Sequence, residues 1–146
     1  MTARMTAHAR PRAVLTDDHP AVIAAAAYIL RGDIDIVASA AGGVQALEAV
    51  TLFQPELLIL DIAMSGWNGF ETAERVLRSS SITKPLFLTI YEDLDYMEKA
   101  RELGASYVFK RRMGTDLLRA ALQTLGGELF FSDLPQSVFY QYRRRF

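Results

Sequence analysis

The chain contains no cysteine. Disulfides, thiolate metal sites and cysteine nucleophiles are therefore excluded, and a reducing compartment is compatible. No apolar run approaches the roughly 18 residues of a membrane span. Met1 to Arg12 is polar, carries three arginines and lacks the apolar stretch of a signal peptide. These absences point to a cytoplasmic protein without a membrane partner, with residues 1–11 as a short leader lacking fixed structure. Charge of one sign is not in excess either. The net charge of -1 provides no general basic field for nucleic acid. There is also no Gly-x-Gly-x-x-Gly fingerprint for a dinucleotide and no phosphate-binding P-loop.

What is present is enough to fold. Hydrophobic residues make up 51% of 146 and charged residues 23%, which suits one domain with a packed core. Short apolar runs alternate with helical stretches. Ala13 to Thr16 is a strand ending in Asp17 and Asp18. His19-Pro20 then opens an alanine-rich helix stopped by Gly32. Ile34, Ile36 and Ala38 alternate as a second strand, and a helix follows from about Val44 to Phe53. Leu57 to Leu60 is continuously apolar, as expected of a strand covered on both faces, and it ends in Asp61. Further helices are predicted near Phe70 to Arg78, Asp93 to Leu103 and Thr115 to Leu125, the last capped by Thr115. Strands are predicted at Pro85 to Thr89 and Ser106 to Phe109. Five strand–helix units imply crossover connections and a doubly wound, five-stranded parallel sheet with five helices, an α/β fold. Residues 128–146 fall outside these units. They are rich in aromatics, among them Phe139, Tyr140 and Tyr142, and close on Arg143-Arg144-Arg145.

The polar residues fall at matching places. Asp17 and Asp18 follow the first strand, Asp61 the third, Thr89 ends the fourth and Lys110 follows the fifth. In an open parallel sheet, ligands bind beyond the carboxyl ends of the strands. Four strand ends would thus bring three carboxylates, a hydroxyl and an ammonium to one rim. Carboxylates crowded together repel unless a cation sits among them. Oxygen-only ligands favour a hard ion, and Mg²⁺ is the natural choice. Asp61 could then act as a nucleophile and form an acyl phosphate, with Lys110 and Thr89 on the phosphate oxygens. Taken singly, each residue has a plainer reading: Asp61 as a strand-end aspartate, Asp18 as a helix cap, His19 as a loop residue, Tyr107 as core, Trp67 as a half-buried aromatic.

The sequence resembles the receiver domains of bacterial response regulators. The residues carrying the match are Asp17-Asp18-His19-Pro20, Leu58-Ile59-Leu60-Asp61-Ile62-Ala63-Met64, Gly69, Leu88-Thr89 and Tyr107-Val108-Phe109-Lys110, within roughly Arg12 to Gly127. The resemblance implies a flavodoxin-like receiver fold over residues 12–127. It implies Asp61 as phosphoacceptor, Thr89 and Lys110 as phosphate-binding residues, and Asp17, Asp18, Asp61 and the Ala63 carbonyl as Mg²⁺ ligands. Tyr107 takes the place of the family's rotating aromatic switch. The donor would be a phosphohistidine on a sensor histidine kinase, and the chain would catalyse only its own phosphorylation and dephosphorylation, unlike a conventional enzyme. A homodimer would form preferentially in the phosphorylated state.

The Asp-Asp-His-Pro motif and Gly127-Glu128-Leu129-Phe130-Phe131-Ser132 look like the subfamily whose receivers precede a LuxR-type helix-turn-helix domain. Transcription is then the expected output, with DNA contact only through a domain outside this chain; residues 128–146 read as a tail or truncated linker. Three positions depart from the family pattern: Ser65, Ile90 and Arg111. Ile90 stands where a small residue is usual, so its bulk could obstruct phosphoryl access or the swing of Tyr107. That leaves an alternative open: a pseudo-receiver acting as a constitutive interaction module, with weak or no phosphorylation.

Overall fold

A computed structural model of the chain describes residues 9–135. The expectations for Phe139, Tyr140, Tyr142 and Arg143 to Arg145, and most of the 1–11 leader, lie outside the described residues. Among the described residues, strands and helices alternate as β1 (Arg12–Thr16), α1 (Pro20–Leu30), β2 (Asp35–Ala40), α2 (Gly43–Phe53), β3 (Leu57–Leu60), α3 (Gly69–Ser79), β4 (Lys84–Thr89), α4 (Leu94–Glu102), β5 (Ser106–Phe109) and α5 (Met113–Leu125). All strand pairs are parallel, in the order β2-β1-β3-β4-β5. This is the doubly wound order in which the chain reverses direction across the sheet between β1 and β3, opening a crevice at their carboxyl ends.

The apolar runs explain why the sheet is covered twice. Side chains alternate across a strand. Leu58 and Leu60 of β3 join Val14, Phe87, Tyr107 and Phe109 on one face, under α2, α3 and α4. Leu57 and Ile59 join Leu15, Leu86, Leu88 and Val108 on the other, under α1 and α5. Each leucine or isoleucine so buried contributes about 2 kcal/mol. β2 lies at an edge, and its residues Asp35 and Ser39 are exposed.

Two local expectations need correction. α5 starts at Met113, and Thr115 is inside its first turn instead of capping it. A 3₁₀ turn, Lys110–Arg112, connects β5 directly to the helix, and the Thr115 hydroxyl bonds back to the Arg112 carbonyl at 3.2 Å. Asp18 does not cap α1 either. The cap position is His19, whose side chain makes no capping hydrogen bond, with Pro20 in the first turn.

The free side of β5 is occupied. Tyr107 donates from its amide to Phe130 (2.8 Å) and accepts at its carbonyl from Ser132 (2.9 Å), so Phe131 pairs in parallel with Tyr107. Phe130, Ser132 and Leu134 are buried. The Ser132 hydroxyl accepts from the Phe109 amide at 3.1 Å and donates to Asp116 at 2.7 Å.

Candidate functional site

The three central strands end at nearly one level, and the residues just past them meet. The Asp61 amide donates to the Thr16 carbonyl at 3.0 Å, which sets the end of β3 beside that of β1. Asp17 and Asp61 are then buried, at 5% and 4% exposure. Lys110 leaves β5 on the 3₁₀ turn and reaches across. Its Nζ lies 2.8 Å from Asp17 Oδ2 and 3.0 Å from Asp61 Oδ2. Burial alone would lower the lysine's pKa; the hydrogen bonds it donates to Asp17 and Asp61 outweigh it and hold the ammonium above its ordinary value. The other oxygen of Asp61, Oδ1, accepts from the Ile62 amide at 2.7 Å.

Helix α3 starts against this corner. Its first residue, Gly69, donates to the Ile62 carbonyl at 2.7 Å. A Cβ on Gly69 would lie 2.2 Å from the Asp61 carbonyl oxygen and 2.7 Å from Ile62 Cα. Backbone there cannot yield, so only glycine lets the helix seat so close to the aspartate.

Asp18 is more exposed and enters the cluster through His19. The imidazole Nδ1 lies 3.0 Å from Asp17 Oδ1 and 2.9 Å from Asp18 Oδ1. One ligand atom each from Asp17, Asp18, His19 and Asp61 lie within 4.8 Å of one another. The imidazole nitrogen of His19 thus lies in the same group as the carboxylate oxygens. By sequence alone His19 reads as a loop residue. The available signal was its adjacency to two aspartates just before a proline that fixes the helix start, which leaves the ring free of capping duty.

Thr89 ends β4, fully buried, in register with Phe109 and hence one residue from Lys110. Its hydroxyl accepts from the Tyr91 amide at 3.3 Å. Ala63 is exposed on the loop after β3. Ile90 is 67% exposed, so its bulk stands in solvent. Tyr107 is fully buried, its ring edge-on to Phe109 with centroids 6.0 Å apart, and its hydroxyl donates to the Tyr91 carbonyl at 2.6 Å. Burial pushes its phenol well above the usual range, so it stays protonated as that donor. Trp67, beside the acceptor loop, is half-buried under the Arg75 guanidinium, 4.1 Å from its ring.

Asp17 and Asp61 thus share one ammonium, with Asp18 beside them paired to His19. The deficit of positive charge, with oxygens already gathered, fits a divalent cation. No helix among the described residues is long and apolar enough to cross a membrane.

Comparison with known proteins agrees with this fold. The family description "Response regulator receiver domain" matches residues 13–123. The oxygen regulatory protein NreC of Staphylococcus carnosus is 32% identical over 121 residues, covering 80% of this chain and 56% of that protein. The chain thus spans about half the length of the curated relatives it matches. Among solved structures, the signal receiver domain of the response regulator NarL from Mycobacterium tuberculosis is 28% identical. Its TM-score is 0.75, and the match covers 82% of this chain and 98% of that one. A LuxR-family two-component response regulator from Aurantimonas sp. SI85-9A1 is 26% identical, with TM-score 0.81, covering 94% and 99%.

Proposed function

The chain belongs to the response regulator receiver family, and from that premise we propose that Asp61 accepts a phosphoryl group from a phosphohistidine of a sensor kinase and thereby controls an output. The observation that carries this reading is the placement of Lys110 across Asp61 and Asp17 at the strand ends.

An oxygen of Asp61 attacks phosphorus; the P–N bond of the phosphohistidine breaks and its electron pair returns to the imidazole, leaving an acyl phosphate. Lys110, already 3.0 Å from Asp61 Oδ2, pairs with the phosphoryl oxygens. Asp17, Asp18, Asp61 and the Ala63 carbonyl would hold Mg²⁺. Bound there, the ion neutralises the carboxylates and orients a phosphoryl oxygen. Thr89 moves toward the phosphate and draws the β4–α4 loop with it, which shifts the population of surface conformations at α4 and β5. Tyr107 needs no inward swing, since its ring is already buried. The relatives' names, an oxygen regulatory protein and a LuxR-family regulator, support a transcriptional output delivered through a domain outside this chain.

Incubation with Mg²⁺ and a small phosphodonor, read by intact-mass spectrometry, tests the core of this reading. Wild type gains one phosphate and Asp61→Asn gains none; equal gain by the variant would overturn it. A homodimer favoured by phosphorylation predicts earlier elution on size exclusion with beryllofluoride and Mg²⁺, against an unchanged profile for Asp61→Asn. The alternative of a constitutive pseudo-receiver rested on obstruction by Ile90. That side chain stands in solvent, and no observation favours the alternative.

A further inference from the structure

The 3₁₀ turn after β5 holds three consecutive cations, and each is tied to a different element. Lys110 reaches Asp17 and Asp61. Arg112 donates from Nε to Asp116 of α5 at 3.0 Å, which pins the turn to that helix. Arg111 turns toward the loop between β4 and α4. Its Nε and Nη2 each lie 2.8 Å from an oxygen of Glu92, a bidentate pair. Arg111 departs from the family pattern, and the phosphoacceptor reading of Asp61 gives it no task.

The pair joins the two segments that carry the phosphate-binding groups of that reading. Glu92 lies three residues past Thr89, and Arg111 directly follows Lys110. Ile90 stands in solvent, so its burial does not anchor the loop. Ties to the strands run through the Tyr91 backbone, whose amide donates to the Thr89 hydroxyl at 3.3 Å and whose carbonyl accepts from the Tyr107 hydroxyl at 2.6 Å. Glu92 adds a tie to the pinned turn, and its side chain is only 26% exposed. The hydrogen bonds from Arg111 hold its carboxyl below the ordinary value, against partial burial.

We propose that the Arg111–Glu92 pair is a clamp that holds the Thr89 loop against the Lys110 turn, so that both phosphate-binding groups stand at a set spacing before the phosphoryl group arrives. Arg111 is thus a positioning residue that acts through Thr89 and Lys110. The inference rests on the receiver reading of Asp61. An exposed ion pair adds little to global stability, but a bidentate guanidinium–carboxylate pair fixes orientation as well as distance. A loop released from it spends part of its time where Thr89 cannot meet a phosphoryl oxygen. The apparent affinity then falls by the fraction of competent loop.

The test is the affinity of the chain for beryllofluoride in excess Mg²⁺, followed by amide NMR at Asp61 and Thr89. Arg111→Ala and Glu92→Gln should each weaken binding about threefold or more. Arg111→Lys should fall between Arg111→Ala and wild type, because an ammonium cannot pair in the bidentate way. The charge reversals Arg111→Glu and Glu92→Arg should each weaken binding, and the double reversal should return it to within about twofold of wild type. A merely structural role for either residue would give no such rescue. Added salt should weaken wild type by a larger factor than Arg111→Ala, since the exposed pair is screened. Arg111→Ala binding as tightly as wild type would overturn the proposal, as would a double reversal no tighter than its single parents. Either result with beryllofluoride still bound by wild type removes the clamp alone. Wild type that binds no beryllofluoride and takes no phosphate on Asp61 removes the receiver reading and the clamp with it.

Discussion

Asp61 and Asp116 are both buried aspartates, at 4% and 1% exposure, and they lie in opposite circumstances. Asp116, in the first turn of α5, is surrounded by donors: Arg112 Nε at 3.0 Å and Nη2 at 3.4 Å, the Ser132 hydroxyl at 2.7 Å and the Thr115 hydroxyl at 3.1 Å. Burial would raise its pKa, but the bonds from Arg112, Ser132 and Thr115 outweigh this and hold the carboxyl below its ordinary value. Asp61 receives one backbone amide and a share in one lysine that also serves Asp17, with Asp18 close by. A carboxylate whose lone pairs are filled is structure. Carboxylates that outnumber their cation keep capacity for a ligand, and that is where chemistry is to be sought.

The comparison breaks most sharply at phosphorylation itself. Asp61→Asn should abolish phosphate incorporation, while Asp116→Asn should leave the extent of labelling near wild type by the same mass measurement. Next in size is Gly69→Ala. The new Cβ meets the backbone of Asp61 and Ile62, so the helix must shift, costing about 2–3 kcal/mol in a urea melt and slowing phosphorylation together. Asp116→Ala strands the Ser132 hydroxyl and Arg112. It should cost about 2 kcal/mol and speed hydrogen exchange at the Ser132 and Tyr107 amides, with the acceptor site intact.

The smallest effect is in pH. Because the folded pKa of Asp116 is depressed, its contribution is present above the unfolded carboxylate value, about 3.9, and is lost as pH falls through the folded value. Asp116→Asn should therefore lose less stability than wild type on acidification below about pH 4, by urea melts across that range.

Much of this was legible in the chain. β3 begins and ends where the apolar run Leu57 to Leu60 does, because a strand buried on both faces leaves no polar interruption, and β5 spans Ser106 to Phe109 as its sequence predicts. The start of α5 was not legible. It depends on a 3₁₀ turn at Lys110–Arg112 that carries no side-chain cap signal. Nor was the pairing of Phe130 and Ser132 with Tyr107. Such contacts join residues more than 20 apart and become visible only when α5 has folded back over the sheet.

The sequence by itself determined the alternation of strands and helices, the parallel sheet, and the polar residues at the carboxyl ends of four of the five strands. These follow from periodicity and strand direction, which are local. Only the tertiary structure decided that Lys110 bridges Asp61 and Asp17, that His19 turns toward Asp17 and Asp18, that Ile90 faces solvent and that Tyr107 is already buried. Where a side chain points depends on neighbours brought from distant segments by packing, and no local pattern encodes those neighbours.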